Sequence, residues 1–340
     1  MKKFVFNAIL AFLVLGGAAA FYFVSDATKF STQKLYLYVP EQAADKKQEI
    51  FTQLRQQPSI KALGLVDYIG SNLGIWQKLK PGRYAITRGM NLVSILRMFR
   101  NGRQEPVKLV VNKMRTRTDI ANFLAKNFAW SPQETEAFLA SNDSLAPFSV
   151  DSNTVATLFI PNTYELYWSK SIPKILGKLA DEKDQFWKSN DRLQKAANQG
   201  ITPTQAYTIA SIVEEETNYN PEKGKVASVY INRWRKGMAL GADPTVKFAL
   251  NDFSIKRILF EHLKIASPYN TYKLKGLPPG PICVPSISSI DAVLNAPTTN
   301  YLFFVASPNF DGTHVFTETY EQHLQYAKQY QEKLNNANIQ

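Results

Sequence analysis

Cysteine and histidine are nearly missing from this chain: Cys283 is the only cysteine, and His262, His314 and His323 are the only histidines, in 340 residues. A single cysteine excludes an internal disulfide framework, while an oxidising compartment stays permitted. The three histidines are dispersed without metal-ligand spacing, so no metal or other cofactor is expected. Missing too are a phosphate-binding Gly-rich loop, a dinucleotide fingerprint and the Gly-x-Ser-x-Gly elbow of a serine hydrolase. Acidic residues are in the minority: 28 Asp and Glu face 40 Lys and Arg, a net charge of +12. That surplus either favours anionic envelope polymers and lipid headgroups or merely aids solubility. A hydrophobic content of 45% with moderate charge argues for a folded protein.

One apolar run, Phe4 to Val24, follows Lys2 and Lys3. At about 20 residues it matches a membrane-spanning helix, and the lysines predict a cytoplasmic N-terminus. Ala18-Ala19-Ala20 also fits a cleaved signal peptide. The aromatic continuation Phe21-Tyr22-Phe23 favours an uncleaved anchor, and an anchor argues against nucleic acid as partner. Residues 25–33 read as a polar linker. The rest is long enough for two subdomains with real cores.

In residues 34–105 the pattern reads strand (35–39), helix (46–56), helix (around Val66, Ile69 and Leu73), strand (83–87), then a helix capped by Asn91 and ended by Gly102. Residues 107–111 read as a strand and 118–128 as a helix. The segment from Ala129 to Gly200 is mostly helical, interrupted at 158–164. Tyr164 and Trp168 suit either a sugar cleft or core packing.

The most informative stretch is Ile209-Ala210-Ser211-Ile212-Val213-Glu214-Glu215-Glu216-Thr217. Thr202, Pro203 and Gln205 predict a capped helix start, and Pro221 cannot continue the helix. Three carboxylates therefore crowd the last turn. Ile209, Ile212 and Val213 share one face, and the next member of that series is Glu216. Glu215 continues the polar side of Thr208 and Ser211, read here as solvated, and Glu214 lies between. A carboxyl on the apolar face, near a helix C-terminus, should hold its proton near neutral pH and suit a general acid. The plain alternative is a solvated charge run.

A second helix follows from Asn220-Pro221 to Gly237, with Val226, Val229, Tyr230 and Arg233 on one stripe. Asp243 before Pro244 reads as the N-cap of a helix over 245–250; a second active carboxylate is the competing reading. Residues 269–286 form a long Pro- and Gly-rich loop, placed beside Glu216 as a substrate-binding wall. Residues 301–306 and 314–317 read as a hairpin through Asn309-Phe310-Asp311-Gly312, and 320–334 as a final amphipathic helix.

Residues 210–217, then 225–233, Asp243-Pro244-Thr245-Val246, Tyr269-Asn270-Thr271-Tyr272, 276–282 and 301–306, resemble in order the endolytic murein transglycosylase (YceG-like) family. The resemblance implies an α+β fold: a single N-terminal transmembrane helix (1–24), the linker (25–33), a small LysM-like α/β subdomain (34–105) and a mixed α+β catalytic domain (106–340). It makes Glu216 the catalytic residue. Glu214, Asn232, Asp243, Thr245, Tyr269, Asn270 and Tyr272 become candidate substrate-binding residues; for Asn232, Tyr269 and Asn270 structural hydrogen bonds are the alternative. Asn162 and Ser286 stand where the family has an acid and a glycine. The implied activity is cleavage of the β-1,4 bond between N-acetylmuramic acid and N-acetylglucosamine in nascent peptidoglycan strands, giving 1,6-anhydro ends and ending glycan elongation. It further implies a bacterial cytoplasmic membrane location with the bulk periplasmic or otherwise extracytoplasmic, and membrane-bound peptidoglycan synthases as partners. A hydrolytic muramidase using Asp243 to place water, and a non-catalytic, membrane-anchored glycan-binding module, are the competing functions.

Overall fold

The computed structural model describes residues 14, 16–18, 21, 22, 25, 27, 28, 30–56 and 60–336. The expected membrane anchor falls on residues 1–24, most of which lie outside that set. Among the described residues no helix is long and apolar enough to cross a membrane.

The elements are β1 (Lys34–Val39), α1 (Lys46–Arg55), α2 (Leu63–Asn72), β2 (Gly82–Thr87), α3 (Leu92–Asn101), β3 (Val107–Val110), α4 (Arg117–Asn127), α5 (Pro132–Ala140) and α6 (Asn142–Leu145). There follow β4 (Thr163–Leu166), α7 (Ile172–Lys188), α8 (Arg192–Asn198), α9 (Pro203–Glu216), α10 (Asn220–Arg235), α11 (Asp243–Leu250), α12 (Ile287–Leu294), β5 (Phe303–Ala306), β6 (His314–Thr317) and α13 (Tyr320–Asn336). Described strands pair only in twos: β1 with β2, β3 with β4, and β5 with β6. This is a mixed α+β fold. The chain divides into a small unit (1–109, 127–129 and 165–171) and a large one (110–126, 130–164 and 172–340).

In the small unit β1 and β2 run antiparallel, with Leu37 opposite Tyr84. Alternation sends Leu37, Val39, Tyr84 and Ile86 inward against Ile50, Leu54, Trp76 and Phe99. Asn91 caps α3 by accepting from the Ser94 N–H, and Gly102 ends it at φ 61°, a left-handed position that suits glycine.

In the large unit α9 is the central element. The Thr202 and Gln205 side chains form a reciprocal capping box, with Pro203 at the first turn. Residues 206–213 are all buried. They pack into one core with Val226, Ala227, Tyr230 and Ile231 of α10 and with Ile290 and Val293 of α12. The Tyr207 hydroxyl donates to the carbonyls of Ala156 and Phe159, so it is buried without an orphaned polar atom. The 276–286 loop lies against α9: Ile282 N–H donates to Ser211 Oγ (3.0 Å), and the buried Cys283 thiol to Ser211 O (3.4 Å). Gly280 is fixed by space, because a Cβ there would meet the Asn153 carbonyl oxygen at 2.1 Å.

Helix α12 has no counterpart in the sequence reading, which ran loop through Ser286. Its start is set by Ser286, whose side chain accepts from the Ser289 N–H.

Candidate active site

The last turn of α9 delivers three consecutive carboxylates in three directions, because successive helical residues point about 100° apart. Glu214 Oε2 accepts from the hydroxyls of Ser286 (2.6 Å) and Ser289 (2.5 Å) and from Lys223 Nζ (3.1 Å). Glu215 takes a two-pronged bond from the Arg115 guanidinium (2.9 and 3.1 Å) and an ion pair from Lys113 (2.9 Å). Burial alone would raise both pKa values, but these donors outweigh it and hold both carboxyls below their ordinary range. The solvated reading of Glu215 is therefore corrected: its side chain is 16% exposed and fully engaged, since the strand-to-helix segment before α4 brings two cations to it.

Glu216 has a different neighbour. Its Oε1 accepts from the Tyr230 hydroxyl of α10 at 2.5 Å. An edge of the residue reaches solvent, yet protein packs round the carboxyl. That burial is the main cause of a pKa raised from 4.5 to about 7; the Tyr230 bond and the charge of Lys247 pull it down, and the charges of Asp243 and Glu215 push it up. Tyr230 is itself buried, so its phenol stays protonated and donates.

Asp243 completes this corner. It occupies the first helical position of α11, with Ala242 as N-cap and no side-chain capping bond. The N-cap reading of Asp243 is thus overturned: the helix begins one residue earlier than Pro244 suggested, and the carboxylate is free to point elsewhere. Asp243 Oδ1 accepts from the Tyr272 hydroxyl at 2.5 Å. Two acid–phenol pairs, Glu216–Tyr230 and Asp243–Tyr272, therefore stand in electrostatic contact. Burial leaves the Glu216 carboxyl neutral-leaning, and the nearby charge of Asp243 pushes its pKa the same way.

The remaining candidates build the frame. Thr245 is buried, and its hydroxyl meets the Ala242 carbonyl (2.7 Å) and the Thr271 hydroxyl (2.8 Å). Asn270 is also buried: its amide donates to the carbonyls of Leu263 and Ile265, and its oxygen accepts from the Tyr272 N–H. Thr245 ties the 269–272 turn to the start of α11 through the Thr271 hydroxyl, and Asn270 ties the same turn to the 263–265 segment and to the Tyr272 backbone. Asn232 spends its amide on the carbonyls of Thr299 and Tyr301. Asn270 and Asn232 make the structural hydrogen bonds named as the alternative to substrate contact, and the Thr245 hydroxyl is likewise bonded within the protein. Tyr269 is half-buried and packs on Phe248, ring centroids 4.6 Å apart. Tyr164 is core, its hydroxyl donating to Ile160 O, and Trp168 packs on Tyr38 in the small unit. Asn162 is exposed, its side chain bonded to the next N–H.

Sequence reasoning passed over Tyr230, Lys113, Arg115, Ser289 and Lys223. Tyr230 carried a signal: it sits on the inward stripe of α10, where its hydroxyl needs a buried partner. Lys113 and Arg115 carried none, since which helix end they meet is a tertiary fact. Ser286, a departure from the family pattern, supplies a hydroxyl to Glu214 that glycine lacks.

Set against known proteins, a family model described as YceG-like matches residues 38–329. An endolytic murein transglycosylase of Bacillus subtilis is 30% identical, over 74% of this chain and 73% of that protein. One from Streptococcus pneumoniae is 26% identical, over 98% of this chain and 66% of that protein. The crystal structure of a YceG-like protein from Listeria monocytogenes matches with a TM-score of 0.55 at 26% identity, over 87% of this chain and 99% of that one. With the match running through nearly all of the described chain, this protein belongs to the YceG-like family.

Proposed function

We propose that the protein is an endolytic lytic transglycosylase of peptidoglycan with Glu216 as its general acid and base. One observation carries the assignment: of three adjacent glutamates, only Glu216 lacks a cationic hydrogen-bonding partner, and only its pKa rises, to about 7. The relatives named endolytic murein transglycosylase support the substrate and the reaction.

In this reading protonated Glu216 gives its proton to the oxygen joining N-acetylmuramic acid to the next N-acetylglucosamine. The C1–O bond breaks as that oxygen leaves as a hydroxyl. The muramic C6 hydroxyl then closes onto C1 while the Glu216 carboxylate takes its proton, which regenerates the acid and forms the 1,6-anhydro ring. No water is consumed. The attack is intramolecular, so it gains from proximity in place of a second protein nucleophile. Tyr230 holds Oε1 and leaves Oε2 for the proton in transit. The charge of Asp243 raises the Glu216 pKa, which favours the protonated starting state, and negative charge at that corner suits the positive charge that develops at C1.

The apolar run at 4–24, preceded by Lys2 and Lys3, supports a single uncleaved membrane anchor with the bulk of the chain outside the cytoplasm. A mature chain that starts near Phe21 would contradict it. The β–α–α–β–α order of residues 34–101 supports a LysM-like small unit.

Product analysis tests the activity. The full chain in neutral detergent, given uncrosslinked glycan strands, should yield anhydro ends. Reducing ends would mean a hydrolytic muramidase, and intact strands a binding module.

A further inference from the structure

The small unit carries a groove of about 670 Å³ whose rim is formed by the end of β2 and the turn after it, one side of α3, and the turn that follows α3. Its volume falls within the usual range for small-molecule sites. Four cations line it, Lys34, Arg88, Arg97 and Arg103, against one carboxylate, Glu105. Lys34 already takes that carboxylate, at 2.5 Å. Arg88, Arg97 and Arg103 are exposed and pair with no described acid. Elsewhere Arg115, Arg117 and Arg192 each hold a carboxylate. Three like charges around one groove repel one another, and nothing in the fold of the small unit uses them.

The groove also has a distinctive address. Ala27 N–H donates to Met90 O (3.1 Å) and Thr28 Oγ1 to Thr87 O (3.2 Å), and both acceptor residues line the groove. Ala27 stands three residues beyond Val24, the last residue of the apolar run. Three residues span at most about 10 Å, and the headgroup layer of a bilayer is itself roughly 5–7 Å deep on each side. A groove fastened that close to the end of a membrane anchor meets phosphate headgroups before it meets any other anion. Guanidinium groups suit such a partner, because their planar donors bond phosphate oxygens in pairs.

We infer that the groove formed by Arg88, Arg97 and Arg103 binds the phosphate headgroup of an acidic membrane phospholipid and holds the small unit down on the bilayer surface. The inference rests on the anchor reading of residues 4–24 and is independent of the chemistry assigned to Glu216.

Native mass spectrometry of the full chain, released from detergent containing equal phosphatidylglycerol and phosphatidylcholine, tests it. The wild-type chain should retain the acidic lipid in about tenfold excess. Arg88→Gln/Arg97→Gln/Arg103→Gln should lose that preference while keeping its melting temperature and its cleavage of soluble glycan strands. A preference that survives the triple substitution would assign it to Lys2 and Lys3 and overturn the proposal, as would equal retention of both lipids by the wild type. Inorganic phosphate offered alone is the third arm. Adducts as abundant as those of the lipid, and lost in the triple variant, would make this a site for soluble phosphate and contradict the membrane role. If the triple variant misfolds, the three single substitutions decide: each should reduce the preference at least about twofold, and no reduction in any of them overturns the proposal.

Discussion

On one side of the last turn of α9, Glu215 meets an ammonium and a guanidinium; on the other, Glu216 meets a phenol. Both side chains are largely enclosed, and burial pushes both carboxyls the same way. What separates them is whether the neighbour carries a charge. A cation makes burial compatible with an anion, and the residue becomes a clamp that fixes the helix end. A neutral donor satisfies one oxygen without repaying the lost hydration, and the residue becomes an acid. Glu214 sides with Glu215, held by Lys223 and two hydroxyls. The helix thus ends on one reactive carboxyl, Glu216, preceded by two that are bonded to cations and hydroxyls.

That contrast can be broken first at Glu216. Glu216→Gln keeps the shape but has no acidic proton, and formation of anhydro ends should fall by about 10²–10⁴-fold, measured by product release from glycan strands. The same variant sharpens the comparison through stability. Wild-type Glu216 binds its proton more tightly folded than unfolded, so its contribution is fully present below pH 4.5 and is lost as pH rises through about 7. Glu216→Gln removes that dependence. Its unfolding free energy relative to wild type should rise between pH 4.5 and pH 8 by up to about 3 kcal/mol, with an unchanged difference contradicting the raised pKa.

Glu215→Gln should do the reverse. It leaves Lys113 and Arg115 without their shared anion, and because both cations are partly solvated the cost is discounted to about 1–2 kcal/mol of stability. Turnover per folded molecule should stay within about threefold of wild type. Chemical denaturation alongside steady-state assays would separate the two effects.

Tyr230→Phe removes the donor that favours the Glu216 anion. The alkaline limb of the rate profile should move above its wild-type position near pH 7, with a loss of about tenfold in turnover. Asp243→Asn should move that limb the other way, because the charge that holds the proton on Glu216 is gone, at a smaller cost of about threefold. Limbs that move together would mean that Tyr230 and Asp243 act only through packing.

Much of this was legible in the chain. The capping box at Thr202 and Gln205 is local chemistry, and the apolar stripe through Ile209, Ile212 and Val213 obeys the helical period, so the burial of that face and the inward turn of Glu216 could be read directly. The strands of the small unit alternate as half-buried strands must. What stayed hidden depends on contacts far along the chain. Glu215 reads as solvated until Arg115, a hundred residues earlier, is brought beside it. Asp243 before Pro244 has the signature of a cap, yet Ala242 caps the helix and frees the acid for Tyr272. Asn232, Thr245 and Asn270 belong to the ordered motifs that mark the family, and the bonds they make to Tyr301, Thr271 and Leu263 are set by contacts the sequence does not show.

The central claim is that three adjacent glutamates titrate apart. A ¹³C-carboxyl NMR titration of the full chain, with the three signals assigned by Glu214→Gln, Glu215→Gln and Glu216→Gln, tests it most directly. Glu216 should titrate with a midpoint near 7, with Glu214 and Glu215 both below 4.5. A Glu216 midpoint at or below 4.5, together with the other two, would contradict the account.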